Sequence, residues 1–458
     1  MGCVVSSDPE ITRADVVVLG AGMSGLVGTS VLLEQGADRV VVVDTYAEVG
    51  GNHLDVEVGP YTYDVGSFIF QDDSPLLAHF PELMDRYVPI DPSWSRLNPQ
   101  GVVTAYPFSV RDDVVDAGPV EIVRILASAV RARLDRRPMR NAYDFARHWI
   151  GARFLRRSGL EHYMARFCGC PIDQIDITFA QSRMLWLSDH TRVPALLQKL
   201  RDLVRPPAPQ PPVNQQLARP REGFVHLYAP VVAGLEARGA EFRLGVELPR
   251  VTREPDGSFV VHVEGGTILT PRVVSTIPLD LAAVVCGAPA QDLPYVTLVS
   301  LFYSFEGSRG FSESVLYNFS YEARWKRLTV YSDFYGLAEG RVYFTVEVVA
   351  DRTGTTPDEA DEEFRRHVLD NGLLTGDLRL EGSHVLAHAY PIYMNGSAER
   401  ASASVAALRA MGVESFGRQG SFRYQPTARV SALDAESALR SSAAAGSFVA
   451  AAEAGVGR

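Results

Sequence analysis

The apolar run Asp15-Val16-Val17-Val18-Leu19, followed at once by Gly20-Ala21-Gly22-Met23-Ser24-Gly25, limits the folds open to this chain more than any other stretch. A short, mostly β-branched run suits a strand buried on both faces. A Gly-x-Gly-x-x-Gly directly after it turns the chain tightly into a helix. Leu26 to Gln35 reads as that helix, and a second apolar run, Val40 to Val43, ends at Asp44. Gly20 makes the turn, Gly22 lets backbone approach a pyrophosphate, and Gly25 lets helix and strand pack closely. The helix N-terminus, at Met23 and Ser24, offers phosphates unpaired N–H groups and a partial positive charge. Asp44, about 20 residues beyond the glycines as the fingerprint requires, is placed to accept hydrogen bonds from a ribose. Strand, turn, helix, strand and acid predict a dinucleotide site on a Rossmann-like α/β domain.

The chain has 458 residues, enough for two or three domains, and its net charge of −11 argues against wholesale nucleic-acid binding. Cys3, Cys168, Cys170 and Cys286 give neither a disulfide framework nor metal-ligand spacing, which suits a reducing cytoplasm. No apolar run reaches the ~18 residues of a membrane span, and no signal-peptide pattern opens the chain. Met1-Gly2-Cys3-Val4-Val5-Ser6 fits the myristoylation pattern. The Ala-, Arg-, Val- and Pro-rich composition, typical of a high-GC bacterium, makes that match accidental. The expected partner is a small molecule, with no membrane or nucleic acid and a homodimer as the expected assembly.

The chain divides as follows. Residues 1–13 read as a loose tail and 14–73 as the first part of the dinucleotide domain. Residues 74–205 read as a mainly helical cap, with a β-like piece from Gly101 to Phe108. Arg124, Arg131, Arg133, Arg136, Arg137 and Arg140 cluster in this cap, as a solvated helix face or a phosphate-attracting rim. The Pro-rich stretch 206–222 reads as a loop, a lid or plain surface, whose Arg219 and Arg221 could close over a phosphate. Residues 223–287 return to the first sheet. Residues 288–400 hold a second, largely antiparallel sheet with strand-like runs at 296–305, 314–319, 328–334 and 342–349. Residues 401–440 rejoin the first domain, and 441–458 form a fraying tail.

Asp44 is followed by Glu48-Val49-Gly50-Gly51-Asn52. This second glycine pair resembles the FAD-binding pattern of the amine oxidase, protoporphyrinogen oxidase and UDP-galactopyranose mutase superfamily. The implied cofactor is FAD, with Gly50, Gly51 and Asn52 against it, and the turn Gly66-Ser67-Phe68 passing over the flavin ring.

Seven blocks, spanning about residues 14 to 440, resemble in order the flavin-dependent UDP-galactopyranose mutases. They include Asp64 to Phe70, Tyr163 to Gly169, Pro220 to Phe224, Leu293 to Leu298, Tyr317-Asn318-Phe319 with Trp325 to Thr329, Tyr390-Pro391-Ile392, and Phe416 to Tyr424. The resemblance implies a redox-neutral pyranose/furanose-type isomerisation of a nucleotide-linked sugar, through an adduct at N5 of reduced flavin. It implies that Arg327 holds the departing diphosphate and that Tyr390 and Tyr424 donate to phosphates. It also places Gly417 and Arg418 beside the flavin, and Asn318, Arg166, Phe68, Phe422 and Arg423 around the substrate. Several family positions are changed. Phe68 stands where the family carries histidine, Cys168 where it carries a base-stacking tryptophan, and Val330 and Pro426 where it carries acids. The family's second arginine falls near Leu187. His53, after Gly50-Gly51-Asn52, is a candidate for the lost histidine. The substrate is accordingly expected to differ from UDP-galactose. The competing readings are an FAD oxidoreductase acting on a sugar, alcohol or amine in secondary metabolism, and a non-catalytic flavoprotein.

Overall fold

The computed structural model describes residues 10–66, 69–184, 214–351 and 354–455. Ser67, Phe68, Leu187 and most of the Pro-rich stretch lie outside the described residues. The organising element is a five-stranded parallel sheet in the order Ala240–Arg243, Val40–Val43, Val16–Leu19, Val273–Ser275, Val413–Ser415. Its two central valine-rich strands are buried at every position, the pattern of a sheet covered on both faces. Helix Met23–Glu34 follows the first of them, and the carboxyl edge of the sheet faces the site. Gly25 is needed here for packing: a Cβ on it would lie 1.9 Å from the Gly20 carbonyl oxygen.

The second sheet has seven strands, in the order Leu374–Pro391, Tyr295–Arg309, Val342–Val349, Trp325–Val330, Val315–Asn318, Trp94–Leu97, Val103–Ala105. All pairings are antiparallel except that between Val315–Asn318 and Trp94–Leu97. Helix Pro357–Asp370 shares an apolar core with one face of this sheet, through Phe364, Val368, Trp325 and Leu328. It opens on a capping box, Thr356 with Glu359, and a proline in its first turn. The cap carries the helices Pro119–Leu134, Ala142–Arg157, Leu160–Cys168 and Ile177–Arg183.

Four expectations change. Residues Glu10–Arg13, read as loose, form a strand parallel to Gly266–Thr270. The chain beyond Ser441, read as fraying, continues the helix Ala428–Gly455. The stretch read as helical cap contributes two strands to the second sheet: Val103–Ala105, inside the β-like piece expected from Gly101 to Phe108, and Trp94–Leu97, which was not expected. Trp94–Leu97 escaped notice because Arg96 interrupts its apolar pattern; that arginine is fully buried, paired with Asp113 and donating to the Ser158 carbonyl at 2.7 Å. Finally, the end of the Pro-rich stretch is not loop. Gln216–Ala218 pairs with Phe70–Gln71 and Val88–Ile90. Arg219 is buried against Asp64 and donates to the Thr62 carbonyl at 2.9 Å. It is a structural tie, unable to close over a phosphate without breaking that pair.

Candidate active site

A continuous cavity of about 780 Å³ lies between the carboxyl edge of the parallel sheet and the second sheet, within the range of cofactor and small-molecule sites. Gly20, Gly22, Met23, Ser24, Asp44, Gly50, Gly51, Asn52, His53 and Gly66 line one part of it. Gly22 and Gly50 are bridged as parallel strands, and the Gly50 N–H donates to the Ala21 carbonyl at 2.9 Å. Gly51 has φ +63°, and a Cβ there would lie 2.9 Å from the Gly22 Cα. The two glycine motifs thus pack backbone on backbone and leave room in front of them. Asp44 accepts from the Ala21 N–H at 2.6 Å and the Tyr46 N–H at 2.9 Å. Burial raises its pKa above the ordinary carboxylate value, against the pull of those N–H groups. Asp44 therefore fixes the fingerprint loop while facing the cavity. Gly25 and Gly417 act behind the wall. The Gly417 N–H donates to Asp434 at 2.9 Å.

The other part of the wall comes from the second sheet and is built by irregularities in its strands. Between Trp325, opposite Val348, and Arg327, opposite Glu347, the register slips. A bulge of this kind breaks the alternation of a strand. Trp325 and Leu328 face the apolar core, while the consecutive Lys326 and Arg327 both reach Glu347 on the cavity side. Lys326 Nζ lies 2.8 Å from Glu347 Oε2, and Arg327 Nε donates to Oε1 at 2.7 Å. Burial works against the charge on Glu347, but the two cations hold its pKa below the ordinary value. Burial pulls the Lys326 pKa down despite Glu347. A second slip, between Val296 opposite Tyr390 and Leu298 opposite Leu386, puts Ala387, His388 and Ala389 on the wall, with His388 at φ +54°. Asn52 is spent on this bulge, donating to the Ala389 carbonyl at 2.8 Å, as is Gln419, donating to the His388 carbonyl at 2.7 Å.

Phe167 and Tyr390 stack with centroids 5.1 Å apart and are flanked by cations. Lys326 Nζ is 4.8 Å from the Tyr390 ring, Arg418 is 5.6 Å from the same ring, and Arg183 is 5.5 Å from Phe167. The Tyr390 hydroxyl donates to the Phe167 carbonyl at 2.8 Å and lies 3.3 Å from Lys326 Nζ. Its proton is therefore committed to Phe167, while its oxygen accepts from Lys326. Tyr424 also lines the cavity, close to Arg183. Arg418 Nε, Gln419 Oε1 and Gln425 Oε1 are buried on cavity-lining residues with no protein hydrogen-bond partner. Buried polar atoms are rarely left so, and three within one short segment fit a polar cofactor in contact with them.

Four residues expected around the substrate lie elsewhere. The Arg166 guanidinium donates to the carbonyls of Asn318, Ser320 and Glu322, at 2.6, 2.9 and 3.2 Å. Asn318 is fully buried and its amide donates to the Trp325 carbonyl at 3.1 Å. Together they close the loop between two strands. Phe422 is buried against Tyr295 and Tyr393, and Arg423 is exposed; neither lines the cavity. In their place stand Arg183, Lys326, Glu347 and Gln425, which no motif marked.

His53 lines the cavity, stacked 5.5 Å from Phe224, with Nδ1 2.6 Å from the Tyr228 hydroxyl. Burial first, and then the charge of Arg418, lower its pKa from 6.5 to about 4. It is a neutral imidazole near pH 7. Its folded pKa is depressed, so it has no effect on stability above pH 6.5. As pH falls from there through about 4, the unfolded chain takes up a proton that the native state refuses. Stability should drop by about 2 kcal/mol between neutrality and pH ~5. Urea unfolding at the two pH values should show this drop in the wild type and not in His53→Gln; equal drops would disprove the assignment.

A family model described as NAD(P)-binding Rossmann-like domain matches residues 18–83. Among solved structures, the chain is similar to reduced UDP-galactopyranose mutase, with TM-score 0.74 and 18% identity, covering 93% of this chain and 94% of that one. It is also similar to a protein assigned as protoporphyrinogen oxidase from Exiguobacterium sp. 255-15, with TM-score 0.72, 16% identity, and 94% and 98% covered. A third similar structure is an engineered putrescine oxidase, with TM-score 0.57, 12% identity, and 94% and 99% covered. With its fingerprint, its cradle of glycines and its second sheet in these places, the chain has the mixed α/β fold of these structures, built on a Rossmann-like dinucleotide-binding domain.

Proposed function

We propose that the protein is an FAD-dependent enzyme acting on an anionic, phosphate-bearing substrate, and that its reaction is a redox-neutral isomerisation of a nucleotide-linked sugar. The observation that carries this is the charge on the cavity wall. Among the described residues, Arg183, Lys326, Arg327 and Arg418 share that part of the wall with a single carboxylate, Glu347. Cations gathered in a buried cleft repel one another unless an anion joins them. A diphosphate supplies that charge, and guanidinium forks match its oxygens. An amine substrate, itself cationic, fits poorly.

FAD, once bound, supplies the electron-rich ring that the chemistry needs. The chain's own residues hold the diphosphate and stabilise the charge that grows on it as the bond to the sugar breaks. Glu347 is committed to Lys326 and Arg327 and keeps both cations in place. Ile69, Phe70, Leu298 and Leu386 supply an apolar wall that excludes water. That wall also favours a second reading, an FAD oxidoreductase acting on an anionic substrate.

One anaerobic experiment separates the two. The protein is reduced with dithionite and offered a panel of nucleotide hexoses and pentoses, and products are resolved by chromatography with mass detection. A new species of unchanged mass, formed only with reduced flavin, is the expected result. No isomer from any donor, together with bleaching of oxidised flavin by a substrate, would establish the oxidoreductase instead.

A further inference from the structure

We propose that the helical hairpin formed by Pro119–Leu134 and Ala142–Arg157 docks the protein onto an anionic lipid surface. Helix Pro119–Leu134 buries Ile125 and Ala132 and leaves its other face open. On that face Val120, Val123, Leu126, Val130 and Leu134 are 64, 65, 58, 59 and 74% exposed. At 3.6 residues per turn these five fall within an arc of about 120°, a continuous apolar stripe along the helix. Scattered exposed apolar residues need no explanation, but an aligned row on one helix does.

Charge identifies what covers the stripe. Arg124 and Arg131 follow one edge of it, and Arg136 and Arg137 stand at its end. From Pro119 to Arg157 the chain carries ten arginines and three acidic residues, a net +7 in a protein of net −11. The acids are already engaged, Glu121 with Arg153, Asp135 with Arg137 and Arg147, and Asp144 with Arg147. The partner is therefore both apolar and negatively charged. A second copy in a two-fold dimer would set the arginine edge against itself, which repels. A bilayer with anionic headgroups satisfies both features, taking the stripe into the acyl boundary and the arginines at headgroup level. The helix would lie on the surface: among the described residues no helix is long and apolar enough to cross a membrane. Contact with a membrane departs from the expectation drawn from composition, because that expectation counted only spanning segments.

The test is co-sedimentation of the full-length, FAD-loaded protein with vesicles of phosphatidylcholine alone or mixed with phosphatidylglycerol. Partitioning onto the anionic vesicles should exceed that onto neutral ones by about tenfold or more, and fall at high salt. Val123→Asp with Val130→Asp should abolish binding, and Arg124→Glu with Arg131→Glu should erase the preference for anionic lipid. All four sites are exposed and far from the fingerprint in sequence, so flavin content and melting temperature should hold. Absence of wild-type binding to anionic vesicles, at low salt, would overturn the proposal without touching the active-site reading. So would a wild-type dimer, seen by sedimentation equilibrium, that the aspartate pair converts to a monomer.

Discussion

The variant Glu347→Gln should be the most destabilised single substitution in the cavity wall, losing about 3–5 kcal/mol at neutral pH. Glu347 is 2% exposed and balances the charge of two neighbours, buried Lys326 at 2.8 Å and half-buried Arg327 at 2.7 Å. Glutamine preserves shape and removes the balancing charge. Arg327 cannot shed its proton, so it remains a half-buried cation against a neutral amide. Lys326 can: its pKa is already pulled down by burial, and without Glu347 it must fall further. The deficit should therefore shrink as pH rises toward the alkaline range, because the neutral amine carries no desolvation penalty. The wild type should gain in the same direction but less, because Glu347 holds its Lys326 pKa nearer the ordinary value. Urea unfolding across the pH range checks both parts. A pH-independent loss below about 1 kcal/mol, the size of an exposed pair, would show that the triad is solvated.

That triad also marks where the sequence stopped being readable. The fingerprint was legible because its physics is local: a buried strand, a tight turn and a helix N-terminus follow one another within a dozen residues. Lys326 beside Arg327 is another matter. Alternation predicts that neighbours in a strand point to opposite faces, so choosing Arg327 as a cavity residue assigns Lys326 to the core. The slip opposite Glu347 and Val348 cancels that inference, and nothing in Trp325-Lys326-Arg327-Leu328 announces it. Glu347 was invisible for a related reason, as one acid in the apolar strand Val342–Val349 whose partners come from another strand. Resemblance failed differently. It carried Arg166 and Asn318 into substrate roles by block similarity, whereas their hydrogen bonds tie down the loop after Asn318. It also placed the family's second arginine near Leu187, while Arg183, four residues earlier in sequence, lies against Phe167 in the cavity.

The largest functional effect should come from Arg327→Ala, about 10²–10³-fold in kcat/KM on the substrate identified by the nucleotide-sugar screen. Arg327 is partly open to the cavity, its side chain 21% exposed, whereas its partner Glu347 is closed off at 3%. Its guanidinium donates to Glu347 through Nε and Nη2, and the side chain lines the cavity. Alanine removes the guanidinium from the wall but leaves Glu347 paired with Lys326, so the stability cost should stay well below that of Glu347→Gln. Arg327→Lys should recover only a small part of the activity, since one ammonium cannot serve Glu347 and a diphosphate as a planar fork can. The effect should fall on kcat more than on KM if the guanidinium stabilises charge that grows as the diphosphate leaves, and on KM alone if it only binds a ground-state phosphate. Binding of inorganic pyrophosphate, followed through the flavin absorbance, gives a readout that needs no substrate. Unchanged pyrophosphate affinity in both Arg327→Ala and Arg183→Ala would remove the anionic-substrate reading, even with the stability of Glu347→Gln behaving as expected, because the triad would then be a structural device alone.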